Sequence, residues 1–236
     1  MERPFTTVPR RILIALILAL LVQLGLRSAN PPAAPGAADL PPVPGTSTLA
    51  IASFGDPIPL AKLLMLYLQA FDYQSGDRVP YQALDYDRLQ AWLTRILRTD
   101  PKGQYPLMAA SRLYADVPSE AKKRQMLEFV YQEFFKDPDR RWQWLAHATA
   151  VAKHGLKDLP LAQKYAAAIQ KYALGEDVPL WARQMEIFIL EDMNELETAR
   201  IMIGGYIEKG LIKHPGELRF LENRLKELEA RSKVLK

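Results

Sequence analysis

The chain has 236 residues, of which 49% are hydrophobic and 25% charged, a balance typical of a folded protein. It contains no cysteine, which excludes disulfides, thiolate metal sites and cysteine nucleophiles. The formal charge is +4, and half of it lies in residues 1–48, so residues 49–236 carry 27 basic and 25 acidic side chains. A region balanced in this way has no electrostatic basis for binding nucleic acid.

The first feature in chain order is an apolar segment that follows a pair of arginines. Residues 12–26, ILIALILALLVQLGL, contain one polar side chain, Gln23. As a helix they span roughly 22 Å, short of the ~30 Å hydrocarbon core, but the two small residues after Arg27 extend the helix. The segment predicts either an uncleaved transmembrane anchor over residues 12–29 or a cleaved signal peptide. The anchor is favoured because Arg27 occupies a position where cleavage needs a small residue.

Basic side chains predict the orientation of this anchor. Three arginines and the terminal amine precede it, whereas Arg27 is the one basic residue in the stretch that follows. The positive-inside rule therefore keeps residues 1–11 in the cytoplasm and exports the remainder. The expected location is a bacterial inner membrane, crossed once, with the carboxy-terminal domain in the periplasm. A twin-arginine export signal at Arg10 and Arg11 is the alternative, although the apolar segment is more hydrophobic than such signals usually are.

Residues 30–48 are rich in proline, alanine and glycine and nearly free of charge. Such a composition does not pack a core and favours extended polyproline segments. It predicts a semi-rigid spacer between the anchor and a folded domain.

From residue 49 onward, apolar residues recur at three- and four-residue spacing without the alternation of a strand. Prolines, glycines and Asp/Asn interrupt this pattern at regular places. The fold class predicted for residues 49–236 is therefore all-α, with short loops between helices near residues 58–73, 84–99, 104–116, 119–136, 139–154, 159–174, 178–193, 196–209 and 215–234.

A recurring boundary predicts how these helices are arranged. Asp100-Pro101, Asp137-Pro138 and Asp177-Val178-Pro179 each precede an aromatic-containing helix, a short turn and a second helix. The three aspartates are separated by 37 and 40 residues. With an earlier pair of helices before Asp100, the pattern predicts four helical hairpins stacked as an α-solenoid.

The second helix of the third hairpin carries a resemblance to a known family. In DLPLAQKYAAAIQKYALGEDVP, small Ala162 and Ala166, the aromatic Tyr165 and the proline after the helix are similar to a tetratricopeptide repeat. The Trp, Leu-Gly and Tyr of a standard first helix are not in register. Residues 57–210 thus resemble degenerate tetratricopeptide repeats or another solenoid of similar period. The resemblance implies a scaffold that binds protein partners in a membrane or cell-envelope complex, rather than an enzyme.

The last predicted helix, residues 215–234, has leucines at three- and four-residue spacing and several i, i+4 pairs of opposite charge. A solenoid needs a polar-faced cap, and this helix is expected to supply one. A short self-association seam is the alternative.

Aromatic and basic residues at the starts of first helices are the candidate partner-binding side chains: Tyr105, Arg140, Arg141, Trp142, Trp144 and Trp181. Trp142 and Trp144 point about 200° apart on one helix, so one is expected in the packing between hairpins and the other exposed. An alternative function uses Tyr105 and the tryptophans to line a groove of an envelope ligand-binding protein or enzyme, for a glycan or lipid.

No catalytic, cofactor or metal site is predicted. His147 and His154 lie seven residues apart on one helix, roughly 10 Å, which is too far for one metal ion. The aspartates before the second helix do not have the spacing of a calcium loop, and Asp85 fits a helix cap better: Asp72, Asp77, Asp85 and Asp87.

Two further helical segments carry expectations about packing. The first helix of the domain, LAKLLMLYLQAF, is apolar nearly all round, which predicts burial within a bundle. The alternative is a docking surface for a transmembrane partner. Gly204 and Gly205 lie inside a predicted helix and are expected to permit close approach of another helix.

Overall fold

The computed structural model describes residues 9–29, 40–71, 81–212 and 215–234. The chain divides into two compact units, the smaller of which contains helix α1, Arg10–Ala29. The larger unit spans residues 39–73 and 79–236. Every regular element within the described ranges is helical, which confirms the all-α fold class.

The helices of the larger unit follow the predicted pattern, with a short helix and a 3₁₀ turn at Tyr81–Ala83 as additions near the amino-terminal end. The helix predicted over residues 178–193 is divided at Gln184 into two shorter helices. Two helices continue without a break into π-helical segments, α5 into Ala109–Tyr114 and α7 into Val151–Gly155. The helices are α2 (Thr46–Ala52), α3 (Pro57–Ala70), α4 (Tyr86–Thr99), α5 (Tyr105–Met108), α6 (Glu120–Phe134), α7 (Pro138–Ala150), α8 (Leu159–Tyr172), α9 (Leu180–Arg183), α10 (Met185–Asp192), α11 (Leu196–Glu208) and α12 (Pro215–Val234).

Within the described residues, no single helix is both long enough and apolar enough to cross a membrane. Helices α2 and α3 together have the required length and composition, but the pair is bent by 112° at the turn between them.

Consecutive helices of the larger unit pack in pairs: α3 on α4, the first π segment on α6, α7 on α8, and α10 on α11. Small residues make the close contacts, since Ala162, Ala166 and Ala199 are all fully buried. Paired packing of this kind is compatible with a helical-repeat solenoid.

Hydrogen bonds also link positions about one repeat apart. Ten such bonds among the described residues join positions 36 to 40 apart, close to the spacing of the Asp-Pro boundaries, and these include Asp87–Gln125, Gln104–Trp144, Glu128–Lys164, Asp139–Gly175 and Gln170–Tyr206. Aromatic rings follow the same rule, because the ring of Phe135 lies 5.2 Å from that of Tyr172 and the ring of Trp142 lies 5.4 Å from that of Trp181. Each helix pair is therefore tied to the next through equivalent positions.

The packed part of the chain begins within the segment whose composition predicts a spacer. Leu40 is fully buried, and its carbonyl accepts a hydrogen bond of 2.7 Å from Arg88 Nη1. Trp92 Nε1 donates to the Pro41 carbonyl at 2.9 Å. An extended proline-rich chain leaves its carbonyls free to accept such bonds, so α4 holds it in place. Residues 30–39 lie outside the described ranges.

Two expectations about helix packing need correction. Helix α3 is covered on one side by its neighbours, but Leu63 and Leu66 on its other side are each 61% exposed, so burial within a bundle describes only half of it. A Cβ atom added to Gly204 or Gly205 would meet nothing within 4 Å, so the close helix approach predicted there is wrong. The described structure gives no physical account of those two glycines.

Helix α12 packs on α11 and carries one apolar stripe. Leu221 and Leu228 are fully buried, while Glu222 and Lys226 are exposed. Arg224 joins this helix to Glu191 of α10. These contacts fit the cap predicted for residues 215–234, and the self-association seam stays a prediction.

Asp158 ties α8 to α6. Its Oδ1 caps α8 by accepting from the Leu161 amide at 2.9 Å, and its Oδ2 accepts from Arg124 Nη1 at 2.6 Å. The capping bond and then the arginine hold the pKa of this carboxyl below its usual 3.8. Both bonds favour the charged form, so protonation of Asp158 weakens the contact between the two helices.

We expect Asp158→Asn to lose the ion pair but keep a capping oxygen, at a cost of up to about 1 kcal/mol in the free energy of unfolding at pH 7. Asp158→Ala loses both and should cost roughly 1 kcal/mol more. The pKa of Asp158 is lower in the folded chain than in the unfolded chain. The charge therefore stabilises the fold fully at a pH above the unfolded-state pKa, and this stabilisation is lost as the pH falls through the folded-state pKa. Urea unfolding at pH 7 and in acid checks this, and an advantage of the parent chain over Asp158→Asn that persists in strong acid would contradict it.

Candidate functional site

The six candidate partner-binding residues all lie on the first helices of successive pairs, and Arg141 is the most enclosed of them. It is only 3% exposed. Its Nη1 donates to the Glu133 carbonyl at 2.6 Å and to Glu133 Oε2 at 3.0 Å, and its Nη2 donates to the Pro101 carbonyl at 3.0 Å. The guanidinium thus joins the end of α6, the start of α7 and the loop after α4, and it is not presented to a partner.

The neighbouring Arg140 points outward. Its Nη2 donates to the Lys102 carbonyl at 2.8 Å, and its Nε lies 3.3 Å from Asp137 Oδ2. The side chain is exposed, so it has further donors that face solvent. Adjacent arginines of the same boundary therefore have different roles, one internal and one at the surface.

Trp142 and Trp144 are both half-buried, so the expectation that one would be buried and the other exposed needs correction. Trp142 meets the ring of Trp181 edge to face at 5.4 Å. Trp144 Nε1 donates to Gln104 Oε1 at 2.6 Å. Helix α7 has a neighbour on each side, so two side chains that point in opposite directions are each partly covered, one by the following pair and one by the preceding pair.

Tyr105 and Trp181 keep large exposed surfaces, 44% and 51% respectively. The hydroxyl of Tyr105 accepts a hydrogen bond from the amide of Gln69. Together with Arg140 they leave an aromatic and basic surface on the starts of α5, α7 and α9. Aromatic and arginine side chains of this kind are enriched in protein interfaces.

A mostly apolar cleft of about 400 Å³ lies between α3, the end of α4 and the start of α5. Gly103 lies in its wall, where a Cβ would approach Asp100 Oδ2 to 2.9 Å, so a larger residue there would displace the Asp100 side chain. Of the four aromatic residues expected to line a groove, Tyr105 borders this cleft and the three tryptophans do not.

Sequence reasoning missed a second cleft of about 400 Å³ beside the two π-helical segments. Arg112, Lys123, His147 and His154 line it together. Burial, and then the nearby charge of Arg112, lower the pKa of His147. The seven-residue spacing of the two histidines was the one feature of the sequence that pointed to this cleft. The π segments that shape the cleft do not alter the spacing of apolar residues, so they could not be predicted from it.

In the ranges that the structure describes, no group of three or more His, Cys, Asp or Glu side chains has an arrangement that could hold a metal ion. Asp85 caps α4 as predicted, accepting from the amides of Asp87 and Arg88 at 2.9 and 3.2 Å. Asp72 and Asp77, which shared the calcium alternative, lie outside the described residues.

Comparison of this chain with protein-family models, with curated protein sequences and with solved structures finds no significant match. The similarity to tetratricopeptide repeats therefore depends on the residues quoted above and on the paired packing of the helices.

The two arginines of the boundary offer a matched pair of substitutions. Arg141→Ala leaves Glu133 buried, with Lys136 as its remaining cation, and should lower the free energy of unfolding by about 3 kcal/mol. Arg140→Ala removes an exposed pair and should cost less than about 1 kcal/mol. Chemical denaturation of the purified full-length variants measures both values, and equal losses for the two variants would refute the structural role of Arg141.

Proposed function

We propose that this protein is a membrane-anchored scaffold whose exported helical-repeat domain binds protein partners in a membrane or cell-envelope complex. The main support for the proposal is a set of hydrogen bonds between residues that lie 36 to 40 positions apart in the sequence. These bonds join equivalent positions of successive helix pairs. Repeats joined in this way form a solenoid, and solenoids present extended surfaces that suit protein or peptide ligands.

The resemblance to tetratricopeptide repeats gains support from the placement of small residues. Ala162 and Ala199 occupy matching places in α8 and α11, 37 positions apart, and both are fully buried. Alanine at these places lets the two helices of a pair approach closely. Residues 57–210 form the repeat region of the proposal, and α12 closes its carboxy-terminal end.

The proposed membrane attachment uses α1. This helix has no polar face, because Gln23 is its one polar side chain between Ile12 and Leu26. Arg10 and Arg11 begin the helix on the side that the positive-inside rule keeps in the cytoplasm. We place the protein in a bacterial inner membrane, crossed once by residues 12–29, with the larger unit in the periplasm.

The proposed partner surface consists of Tyr105, Arg140 and Trp181, with Trp142 and Trp144 behind them. Arg141 does not belong to it, because its donors are used inside the protein. An aromatic groove for a glycan or lipid has less support, because Trp142, Trp144 and Trp181 do not line the apolar cleft that Tyr105 borders.

The absence of cysteine makes the orientation directly testable. In intact bacteria that express Leu174→Cys, a maleimide that cannot cross the inner membrane should label the chain, because Leu174 is exposed in the larger unit. The same reagent should fail to label Thr7→Cys until the membrane is permeabilised. The unsubstituted chain provides the blank. Labelling of position 7 and protection of position 174 would reverse the proposed orientation.

Partner binding is tested by a photo-crosslinking residue in place of Trp181, with Phe220 on α12 as a control of nearly equal exposure, 51% and 53%. In native membranes we expect discrete adducts with other proteins at position 181, and their loss when Arg140→Ala is added. Identical adduct patterns at positions 181 and 220, or adducts at neither, would contradict the proposed surface.

A further inference from the structure

Helix α3 has two apolar sides, and only one of them is covered in the described chain. Ala61, Met65 and Leu68 face the interior, whereas Leu63 and Leu66 on the opposite side are each 61% exposed. A helix that is apolar all round is normally buried all round. The exposed side therefore needs an apolar environment that the larger unit does not itself supply.

The turn between α2 and α3 also exposes apolar side chains. Phe54 is 96% exposed, and its φ of 47° lies in the left-handed region that an aromatic residue rarely adopts. Ile51 before it and Ile58 after it are also exposed, at 78% and 49%. The backbone of this turn thus holds a bulky ring away from the protein, between two aliphatic side chains.

Two arginines border this turn. Arg95 and Arg98 of α4 line a cleft together with Ala50, Ser53 and Pro57. Arg95 is half-buried and its Nη1 atom is enclosed by the protein, whereas Arg98 is exposed. On their other side these arginines share a cleft with Asp87, whose carboxylate accepts from Gln125. The exposed guanidinium of Arg98 beside an apolar tip fits an anionic group such as a phosphate.

We propose that the α2–α3 turn inserts into the interfacial region of an anionic phospholipid bilayer, with Ile51, Phe54 and Ile58 among the acyl chains and Arg98 at a lipid phosphate. The inference rests on the proposed attachment of the chain to the membrane through α1. It differs from that attachment because it concerns a surface of the folded unit.

The shape and composition of the segment favour a bilayer over a protein as the occupant. Between residues 46 and 70, Asp56 and Lys62 are the only charged side chains, and Asp56 is used as the cap of α3. The α2–α3 pair has the length and composition of a membrane segment but is bent by 112°, which suits a helix pair that lies in the interface. A projecting tip enters lipid readily, whereas a protein partner would require a matching cavity.

The chain length between α1 and the larger unit permits this contact. Residues 30–39 separate Ala29 from the packed Leu40, and ten residues reach at most about 35 Å when fully extended.

The test uses the full-length protein, one copy per nanodisc, with a single cysteine that carries an environment-sensitive fluorophore at position 54, 18 or 174. All three parent residues are exposed leucine or phenylalanine, and the chain offers no other thiol. Position 18 reports on α1, and position 174 is the control within the larger unit. We expect blue-shifted emission and quenching by acyl-chain spin-labelled lipid at positions 18 and 54, but not at 174.

Quenching at position 18 without quenching at position 54 would overturn the inference and leave the anchor intact. Absence of quenching at position 18 would overturn the proposed anchor instead. Blue-shifted emission at position 54 that is insensitive to the lipid-borne quencher would place the label against the protein itself, which also overturns the inference.

The arginines are tested in the same nanodiscs by Arg98→Ala, with Arg112→Ala as a control that removes an exposed cation elsewhere. In discs that contain anionic lipid, loss of one cation near the surface should shift the ratio of inserted to free label at position 54 about fivefold toward the free state. Arg112→Ala should leave the ratio unchanged. Equal effects of the two substitutions, or no effect of Arg98→Ala, would contradict a phosphate contact at this turn.

Discussion

The arrangement of the helix pairs depends on contacts between successive Asp-Pro boundaries. Arg141 follows one boundary and donates to the carbonyl of Pro101 at the preceding boundary. Asp139 accepts from the Gly175 amide just before the next boundary at 2.7 Å, where a Cβ would lie 2.8 Å from the Asp139 Cγ. Pro138 is the first residue of α7 and Pro179 directly precedes α9, whereas Pro101 lies in the loop before α5. At each contact a backbone group of one boundary bonds to a side chain of the neighbouring pair. Each boundary thus positions the next one.

Much of this architecture could be predicted from apolar spacing, because helix existence depends on a local pattern. The number of residues between successive boundaries also predicted how far apart in the sequence the residues that join neighbouring helix pairs lie. Helix α2 was missed because it is only seven residues long and begins in a proline-rich stretch. The two π segments were missed because one extra residue per turn does not disturb the apolar pattern enough to be seen.

The candidate surface was harder to predict, since burial of a charged side chain depends on acceptors that are distant in sequence. Arg141 and Arg140 are adjacent and chemically identical, yet only Arg141 meets the Glu133 carboxylate and two backbone carbonyls. Trp142 and Trp144 show the same limit. Their directions on the helix were correctly predicted, but what covers each direction depends on the helix pairs before and after α7.

The two ends of the repeat region differ in a way that the rest of the fold does not explain. At the carboxy-terminal end, α12 buries Leu221 and Leu228 and presents charged residues outward, as a terminal helix in water must. At the amino-terminal end, α3 presents Leu63 and Leu66 outward, and Phe54 is exposed and lies in an unfavourable backbone conformation. Local rules that fail together at one place usually indicate a functional surface. Since an apolar layer edged with phosphate would cover the exposed ring and meet Arg98 beside it, lipid accounts for this end of the repeat region better than water does.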